Sequence, residues 1–307
     1  MGRREFVRTA SRASAALFAA GDVLLRALGR QPDVLRIGLV VPAGDAAMAS
    51  VARGVRMGVR EVAHTAGLMS HRVELVSAEG AGSVAESVAA ADRLASEEGV
   101  AALVGGGDEA ACRALGNIAE GAGVLFINTG CAADALRVEC LRGVFHVQAS
   151  DAMYAAALAA RPADAADATA AVLWHPSLER FGAGQVNDRF RAAFPGEAMD
   201  GAAWAGWMAV KVLWEASLRA RSTEPGGLRD YLAREGTQFD GHKGWPLSFR
   251  PWDHQLRQPL YLVAPAADGG TRVVGEVPVR PAEGASSSRE LLDALGGAPS
   301  ASACAPG

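Results

Sequence analysis

Residues suited to binding a small solute occur in three turns, each directly after an apolar run of the sequence. The turns are Pro42–Ala46, Gly105–Ala110 and Asn128–Ala132. Their candidate ligand-binding residues are Pro42, Asp45, Gly106, Gly107, Asp108, Glu109, Asn128, Thr129 and Gly130. A few convergent backbone amides, hydroxyls and carboxylates are what orients a solute in a pocket. The sequence therefore predicts a binding site here.

The same turns lack the patterns that cradle phosphates. Neither G-x-G-x-x-G nor G-x-x-x-x-G-K-[ST] is present, although Glu79 stands near the place of a ribose-binding acid. The hydrolase patterns G-x-S-x-G and H-E-x-x-H are also missing. We therefore predict no catalytic residue and no cofactor, and keep a Rossmann-like enzyme as the weakest alternative.

The acidic pair Asp108–Glu109 has two interpretations. Acids in the first turn of a helix are stabilised by the helix dipole, which would make this pair structural. Alternatively, the pair would repel a carboxylate and mark a site for a cation, a polyol or an uncharged alcohol. Both interpretations stay open at this stage.

Two further groups of side chains suggest other chemistry. Asp240, His242, Asp253 and His254 offer ligand types that suit transition metals, but their D-x-H…D-H spacing matches no metal motif, so we predict no metal site. Tryptophans 204, 207 and 214 recur at helical spacing. They form either a core-packing face or an aromatic wall against a ligand.

The elements that position the three turns follow a regular pattern in the first half. Apolar runs occur at 35–41, 73–78, 101–104, 124–128 and 144–149, and helical stretches at 48–66, 83–98 and 108–120 lie between the first four. This alternation predicts an α/β fold with a doubly wound parallel sheet, in which ligands bind beyond the carboxyl ends of the strands. Gly67, Gly99 and Gly123 are expected to end the helices.

The second half does not continue the regular alternation of apolar runs and helical stretches. An alanine-rich link at 161–171 precedes helical patterns at 183–194, 202–221 and 227–234, and extended segments flank a polar turn at 251–255. We expect a first lobe over 34–150 and a shortened, mostly helical second lobe with a C-terminal hairpin over 151–280. A disordered tail is expected over 281–307, with one short helix possible at 288–295.

Charge and hydropathy limit the possible partners. The 307 residues carry a formal net charge of -4, which argues against nucleic acid, and no run of 18 apolar residues predicts a membrane span. Residues 1–30 begin with Arg3-Arg4 and continue with an apolar stretch, as a twin-arginine-like export signal does. An amphipathic helix of a cytoplasmic protein is the alternative.

Four cysteines are present, without a C-x-x-C pair. Cys131 and Cys140 are close enough in sequence to close a small disulfide in an oxidising compartment, whereas buried free thiols are the slightly favoured alternative.

Together, the segments "RIGLVVP", "VAALVGGGDEAACRAL" and "GVLFINTGCAADAL" resemble the first lobe of type I periplasmic substrate-binding proteins of the leucine/isoleucine/valine branch. The later "QFDGHKGWPLSFRPWDHQLRQPLYLV" looks more like the ABC-transporter binding proteins associated with PQQ-dependent alcohol dehydrogenase systems. The resemblance implies a periplasmic receptor that holds a small-molecule solute between two lobes and delivers it to an ABC permease of the inner membrane.

The chain departs from that family in two ways. Of the hydroxyls with which amino-acid binders grip the ligand, only Thr129 is present. About two to three βαβ units of a full second lobe are also missing. We therefore expect weak binding with little closure, and keep a protein-interaction module as an alternative function.

Overall fold

A computed structural model of the protein describes residues 33–69, 71–81, 83–279 and 288–296. The expected export signal at 1–30 lies outside these residues. Within the described ranges, no helix combines the length and the apolar character needed to cross a membrane.

The first half forms one parallel sheet of five strands. Its strands are β1 (Asp33–Pro42), β2 (His71–Ala81), β3 (Ala102–Gly105), β4 (Leu125–Asn128) and β5 (Val144–His146), in the order β2-β1-β3-β4-β5. Its helices are α1 (Ala46–Leu68), α2 (Val84–Ser96), α3 (Glu109–Ala122) and the short α4 (Ala135–Val138). Buried apolar strands covered by helices confirm the predicted doubly wound α/β fold.

Two of the three glycines that were expected to end helices have the left-handed conformation expected there. Gly123 ends α3 in the left-handed conformation, with a φ of 72°, and Gly99 has a φ of 63° after α2. The prediction for Gly67 is wrong, because α1 continues to Leu68 and is capped by Met69. A glycine within a helix costs only about 1 kcal/mol relative to alanine, so it does not by itself end one.

The second half contains five α-helices and six short strands in its described part. The first four helices are α5 (Asp151–Ala159), α6 (Ala183–Ala193), α7 (Gly201–Ala220) and α8 (Pro225–Leu232). The strands are β6 (Ala170–Val172), β7 (Phe239–Asp240), β8 (Pro246–Phe249), β9 (Leu256–Arg257), β10 (Leu260–Pro265) and β11 (Thr271–Val277). A final helix, α9, covers Ser288–Asp293.

The strands of the second half form two antiparallel sheets. The expected hairpin is present as β8 and β9, which belong to the sheet β7-β8-β9. The chain then leaves that hairpin, and β10 pairs with β6 and β11 in a separate sheet. Strand β11 has no counterpart in the sequence analysis, since its residues lack a clear apolar alternation.

The short helix that the sequence allowed at 288–295 forms as α9. Leu292 and Leu295 are buried, and the buried Arg257 donates to both carboxylate oxygens of Asp293 at 2.6 and 3.2 Å. The guanidinium of Arg250 also donates to the carbonyl of Leu295 at 3.0 Å. These contacts explain why α9 forms within a segment whose composition predicts disorder.

The tryptophan-rich helix α7 packs directly on α1 of the first half. A Cβ atom at Gly54 would lie 1.9 Å from the carbonyl oxygen of Ala203, and one at Gly206 would lie 2.2 Å from that of Val51. A Cβ atom at Gly58 would lie 2.9 Å from the Cβ of Val210. The two backbones therefore touch, and only glycine fits at these positions.

We expect Gly54→Ala to lower the free energy of unfolding by about 1–3 kcal/mol, because the new methyl group must push α1 and α7 apart. Guanidinium denaturation followed by circular dichroism measures this change. Gly121→Ala is the matched control, since a Cβ atom there meets nothing within 4 Å. The control should be neutral or stabilising by up to about 1 kcal/mol. Equal stability of Gly54→Ala and the wild type would contradict the close contact.

Candidate functional site

A cavity of about 780 Å³ lies between the two halves of the chain. This volume is within the range of small-molecule pockets. One wall comes from the first half and from α5, and the other from β6 and the turn before β11. The lining residues are Ala47, Met48, Val51, Thr129, Gly130, Gln148, Tyr154, residues 171–177, residues 200–202, Asp268, Gly270 and Thr271.

The first wall lies beyond the carboxyl ends of the parallel strands, as the rule for open α/β sheets predicts. Thr129 and Gly130 follow β4, and Gln148 follows β5. The Thr129 hydroxyl donates to the carbonyl of Gly105 at 2.9 Å, so its lone pairs remain available to accept. Gln148 Nε2 donates to the hydroxyl of Tyr154 at 3.2 Å.

The second wall carries a small polar cluster around His175. One ring nitrogen of His175 lies 2.8 Å from Ser177 Oγ and the other lies 3.2 Å from Thr271 Oγ1. Partial burial lowers the pKa of His175, which keeps the ring neutral at pH 7. The cluster therefore offers hydrogen bonds without a positive charge.

Asn187, on α6, holds this second wall in shape. Its Oδ1 accepts from Trp174 Nε1 at 2.8 Å, and its Nδ2 donates to the carbonyls of Pro176 and Leu178 at 3.1 and 2.9 Å. Asn187 was not among the residues predicted from the sequence. A polar side chain between Val186 and Phe190 on a buried helix face was the available signal.

The charged side chains that line the cavity are both acidic. Asp200 caps α7 by accepting from Ala203 N, and it also accepts from Ser50 Oγ, each at 2.7 Å. Asp268 accepts from Gly270 N at 3.0 Å. No lysine or arginine is among the residues that line this cavity. Its charged groups therefore favour a cationic or uncharged solute over an anion.

The structure brings only Thr129 and Gly130 of the expected site residues to this cavity. Asp45 and Asp108 cap α1 and α3, accepting from backbone N–H groups at 3.0 and 2.8 Å. Glu109 pairs with Arg113 at 2.9 Å. These contacts favour the structural interpretation of the acidic pair.

Pro42 and the glycines Gly106 and Gly107 pack neighbouring turns together. A Cβ atom at Gly106 would lie 2.9 Å from the Cα of Gly130, and one at Gly107 would lie 3.3 Å from the Pro42 ring. The glycines allow backbones to touch, and none of these three residues lines the cavity.

Asn128 is fully buried, and contacts within the protein use both ends of its amide. Its Nδ2 donates to the carbonyl of Cys131 at 2.8 Å and lies 3.0 Å from His146 Nδ1. Its Oδ1 accepts from the backbone N–H groups of Gly130 and Cys131 at 3.2 and 3.0 Å. Asn128 therefore shapes the turn after β4 and does not reach the cavity.

Arg137 connects three segments of the chain behind the first wall of the cavity. Its guanidinium donates to the carbonyls of Cys131 and Gln148 at 3.0 and 2.7 Å, and to Gln255 Oε1 at 3.0 Å. Burial lowers the pKa of Arg137 to about 10, so the group stays charged at pH 7. It fixes the turn after β4, the segment after β5 and the hairpin in one arrangement.

The other candidate groups are structural in the described part of the chain. Asp253 pairs with buried Arg250 at 2.8 Å, and the ring of His254 stacks on Phe145. Trp204 is buried and stacks on Trp174, and Trp207 Nε1 donates to Glu61 at 2.7 Å. The tryptophans of α7 therefore pack in the core, whereas Trp174 faces the cavity.

The structure does not contain the Cys131–Cys140 disulfide that the sequence allowed. Cys112 and Cys131 are free thiols, while Cys140 is disulfide-bonded. The Cys131–Cys140 disulfide is therefore absent, and Cys131 is one of the two free thiols.

Burial lowers the pKa of His146 well below its ordinary value. The unfolded chain therefore takes up a proton first as the pH falls below about 6.5. We expect the free energy of unfolding to decrease from pH 7 to pH 5, by up to about 1.4 kcal/mol for each unit of pKa depression. Urea denaturation across this range should show a shallower decrease for His146→Gln. His64→Gln, on the exposed surface of α1, should keep the wild-type slope, and equal slopes for all three proteins would contradict this role of His146.

Solved structures share this fold. A periplasmic binding protein from Burkholderia mallei has a TM-score of 0.72 at 12% identity, covering 89% of this chain and 99% of its own. The branched-chain amino acid transporter substrate-binding protein LivJ from Streptococcus pneumoniae, in complex with isoleucine, has a TM-score of 0.65 at 14% identity, covering 81% and 99%. A solute-binding protein of an ABC transporter from Rhodopseudomonas palustris, in complex with 3,4-dihydroxybenzoic acid, has a TM-score of 0.65 at 12% identity, covering 80% and 96%.

Comparison with curated proteins gives no significant match. The family model described as "Periplasmic binding protein" matches residues 34–173 and 151–271, which together span more than half of the 307 residues. This chain belongs to the periplasmic binding protein family, a family of binding proteins and not of enzymes.

Proposed function

We propose that the protein binds a small solute in the cavity between its two halves, as the receptor of an ABC-type uptake system. The observation that carries this proposal is the 780 Å³ cavity, which has polar groups on both walls and lies at the strand ends of the parallel sheet. Family membership and the solute complexes of the similar structures support it.

The solute that fits the cavity best is uncharged or cationic and has an apolar body. Met48, Val51 and Trp174 supply apolar surface, while Asp200 and Asp268 supply negative charge. The N-termini of α1 and α7 reach the cavity and would favour an anion by about 0.3–1 kcal/mol each. Asp200, a full charge at the N-cap of α7, opposes that effect. A carboxylate is therefore disfavoured against an alcohol or amine of the same shape.

The proposed location, partner and link to alcohol oxidation rest on the sequence. The expected export signal at 1–30 supports a periplasmic location, with an ABC permease of the inner membrane as the partner. The resemblance of residues 238–263 to binding proteins of PQQ-dependent alcohol dehydrogenase systems supports a link to alcohol oxidation. An uncharged alcohol agrees with the charge of the cavity. A protein-interaction module is the alternative, and failure to bind any solute would favour it.

A matched trio of ligands tests the charge preference, namely benzoate, benzyl alcohol and benzylamine, which share a ring and differ in charge. We expect benzoate to bind at least about threefold more weakly than the better of the other two, since one partly screened like charge costs about 1 kcal/mol. Isothermal titration calorimetry at low salt measures the three affinities.

Two variants assign the result to the cavity. Asp268→Asn should narrow the difference between benzoate and benzylamine, while Asp230→Asn, at an exposed position of α8, should not. Ala202→Phe should fill the cavity and reduce all binding about tenfold or more, whereas Ala192→Phe on the exposed face of α6 should not. Unchanged binding by Ala202→Phe would place the solute elsewhere.

We expect affinities in the micromolar-to-millimolar range, about -4 to -8 kcal/mol, with little closure. The second wall rests on the short β6-β10-β11 sheet, and α7 is held against α1 by backbone contact. Small-angle X-ray scattering with saturating solute should show no resolvable decrease in radius of gyration. A nanomolar solute with a clear decrease would mean that the halves form a closing cleft.

A further inference from the structure

Two free cysteines meet beside the turn that lines the cavity. Cys112 lies on α3, and Cys131 lies three residues after the end of β4. The Sγ of Cys112 lies 3.6 Å from Asn128 Oδ1, and the backbone N–H of Cys131 donates to the same oxygen at 3.0 Å. The same amide oxygen therefore contacts the thiol of Cys112 and the backbone of Cys131.

The packing around Asn128 keeps the two thiols together. A Cβ atom at Gly106 would lie 3.3 Å from Cys112 Sγ and 2.9 Å from the backbone N of Gly130. The absent side chain at Gly106 lets α3 approach the turn after β4. In this arrangement the thiols of Cys112 and Cys131 are near enough for each to shift the pKa of the other.

We propose that Cys112 and Cys131 form a redox-active dithiol that a disulfide oxidant converts into a disulfide between α3 and the turn after β4. The thiolate of Cys131 attacks a sulfur of the oxidant, forms a mixed disulfide and releases one thiol. Cys112 then gives up its proton and attacks the Cys131 sulfur, which releases the second thiol. The protein loses two hydrogens and two electrons, and the oxidant disulfide becomes two thiols.

The two cysteines differ in pKa and in exposure, as an attacking and a resolving cysteine must. The hydrogen bond from Cys112 lowers the pKa of Cys131 to about 7, while the same bond and burial raise the pKa of Cys112. Cys131 is also the more exposed of the two, at 6% against 1%. Cys131 is therefore the residue that attacks the oxidant, and Cys112 resolves the mixed disulfide.

Oxidation of the two cysteines would affect the solute site because Cys131 is next to a residue that lines the cavity. Gly130, which lines the cavity, immediately precedes Cys131 and touches Gly106. A disulfide would link the first turn of α3 covalently to the turn after β4, which contains Gly130. The formation of the bond itself does not depend on the proposed solute.

Peptide mapping of the full chain tests the proposal. The protein is incubated with oxidised glutathione, free thiols are alkylated, and the protein is cleaved with trypsin without reduction. Cleavage at arginines 93, 113, 137 and 142 places Cys112, Cys131 and Cys140 in the separate peptides 94–113, 114–137 and 138–142. We expect peptides 94–113 and 114–137 to become linked, with a mass two hydrogens below their sum.

Thermal unfolding provides a second measurement. Closing the short loop between Cys112 and Cys131 should raise Tm by about 5 °C or more on oxidation. Cys131→Ala and Cys112→Ala should show neither the link nor the oxidant-dependent rise, and Cys112→Ala should retain glutathione on Cys131. Persistent alkylation of both cysteines, separate glutathione adducts on both, or a link between 114–137 and 138–142 would each overturn the proposal.

Discussion

The contact between α1 and α7 is the constraint on which the rest of the structure depends. Gly54, Gly58 and Gly206 remove the side chains that would otherwise separate the two helices, so their backbones touch. Buried residues of both halves then join in one hydrophobic core, which extends from Leu35 to Leu295. The second half is therefore built onto the first and does not have a core of its own.

The cavity is a consequence of that contact. Because α7 is held against α1, its N-terminus at Gly201 and Ala202 stands next to the start of α1 and forms one side of the cavity. Asn187 and the β6-β10-β11 sheet then place the opposite wall. Two-lobed binding proteins gain affinity by enclosing the ligand through hinge motion. Here α7 of the second half is packed against α1 of the first, so we expect the cavity to be largely preformed. Affinity then depends on the polar groups already in place.

The sequence was sufficient for the first half and insufficient for the cavity. Apolar runs and helical periodicity are local signals, and they predicted all five parallel strands and the three long helices between them. The opposite wall depends on contacts between distant residues, such as Asn187 with Trp174, that have no local pattern. Of the expected ligand-binding residues, Thr129 and Gly130 line the cavity because they follow a strand end directly. Asp108 and Asn128 have the side-chain types of ligand-binding residues, but they satisfy backbone groups of their own turns.

Buried polar groups hold the first wall of the cavity in place. Arg137 is a buried cation, and its hydrogen bonds reach carbonyl and amide oxygens of three segments. Gln255 continues this connection by donating to the carbonyls of His146 and Gln148, both at 3.1 Å. Breaking any one of these bonds would leave a buried donor or acceptor unsatisfied, at a cost of about 1–3 kcal/mol. The hairpin is thus bound to the edge of the parallel sheet, and Gln148 is held in the wall of the cavity. Arg137 also donates to the carbonyls of Cys131 and Ala133, so the same residue holds the turn that contains Cys131.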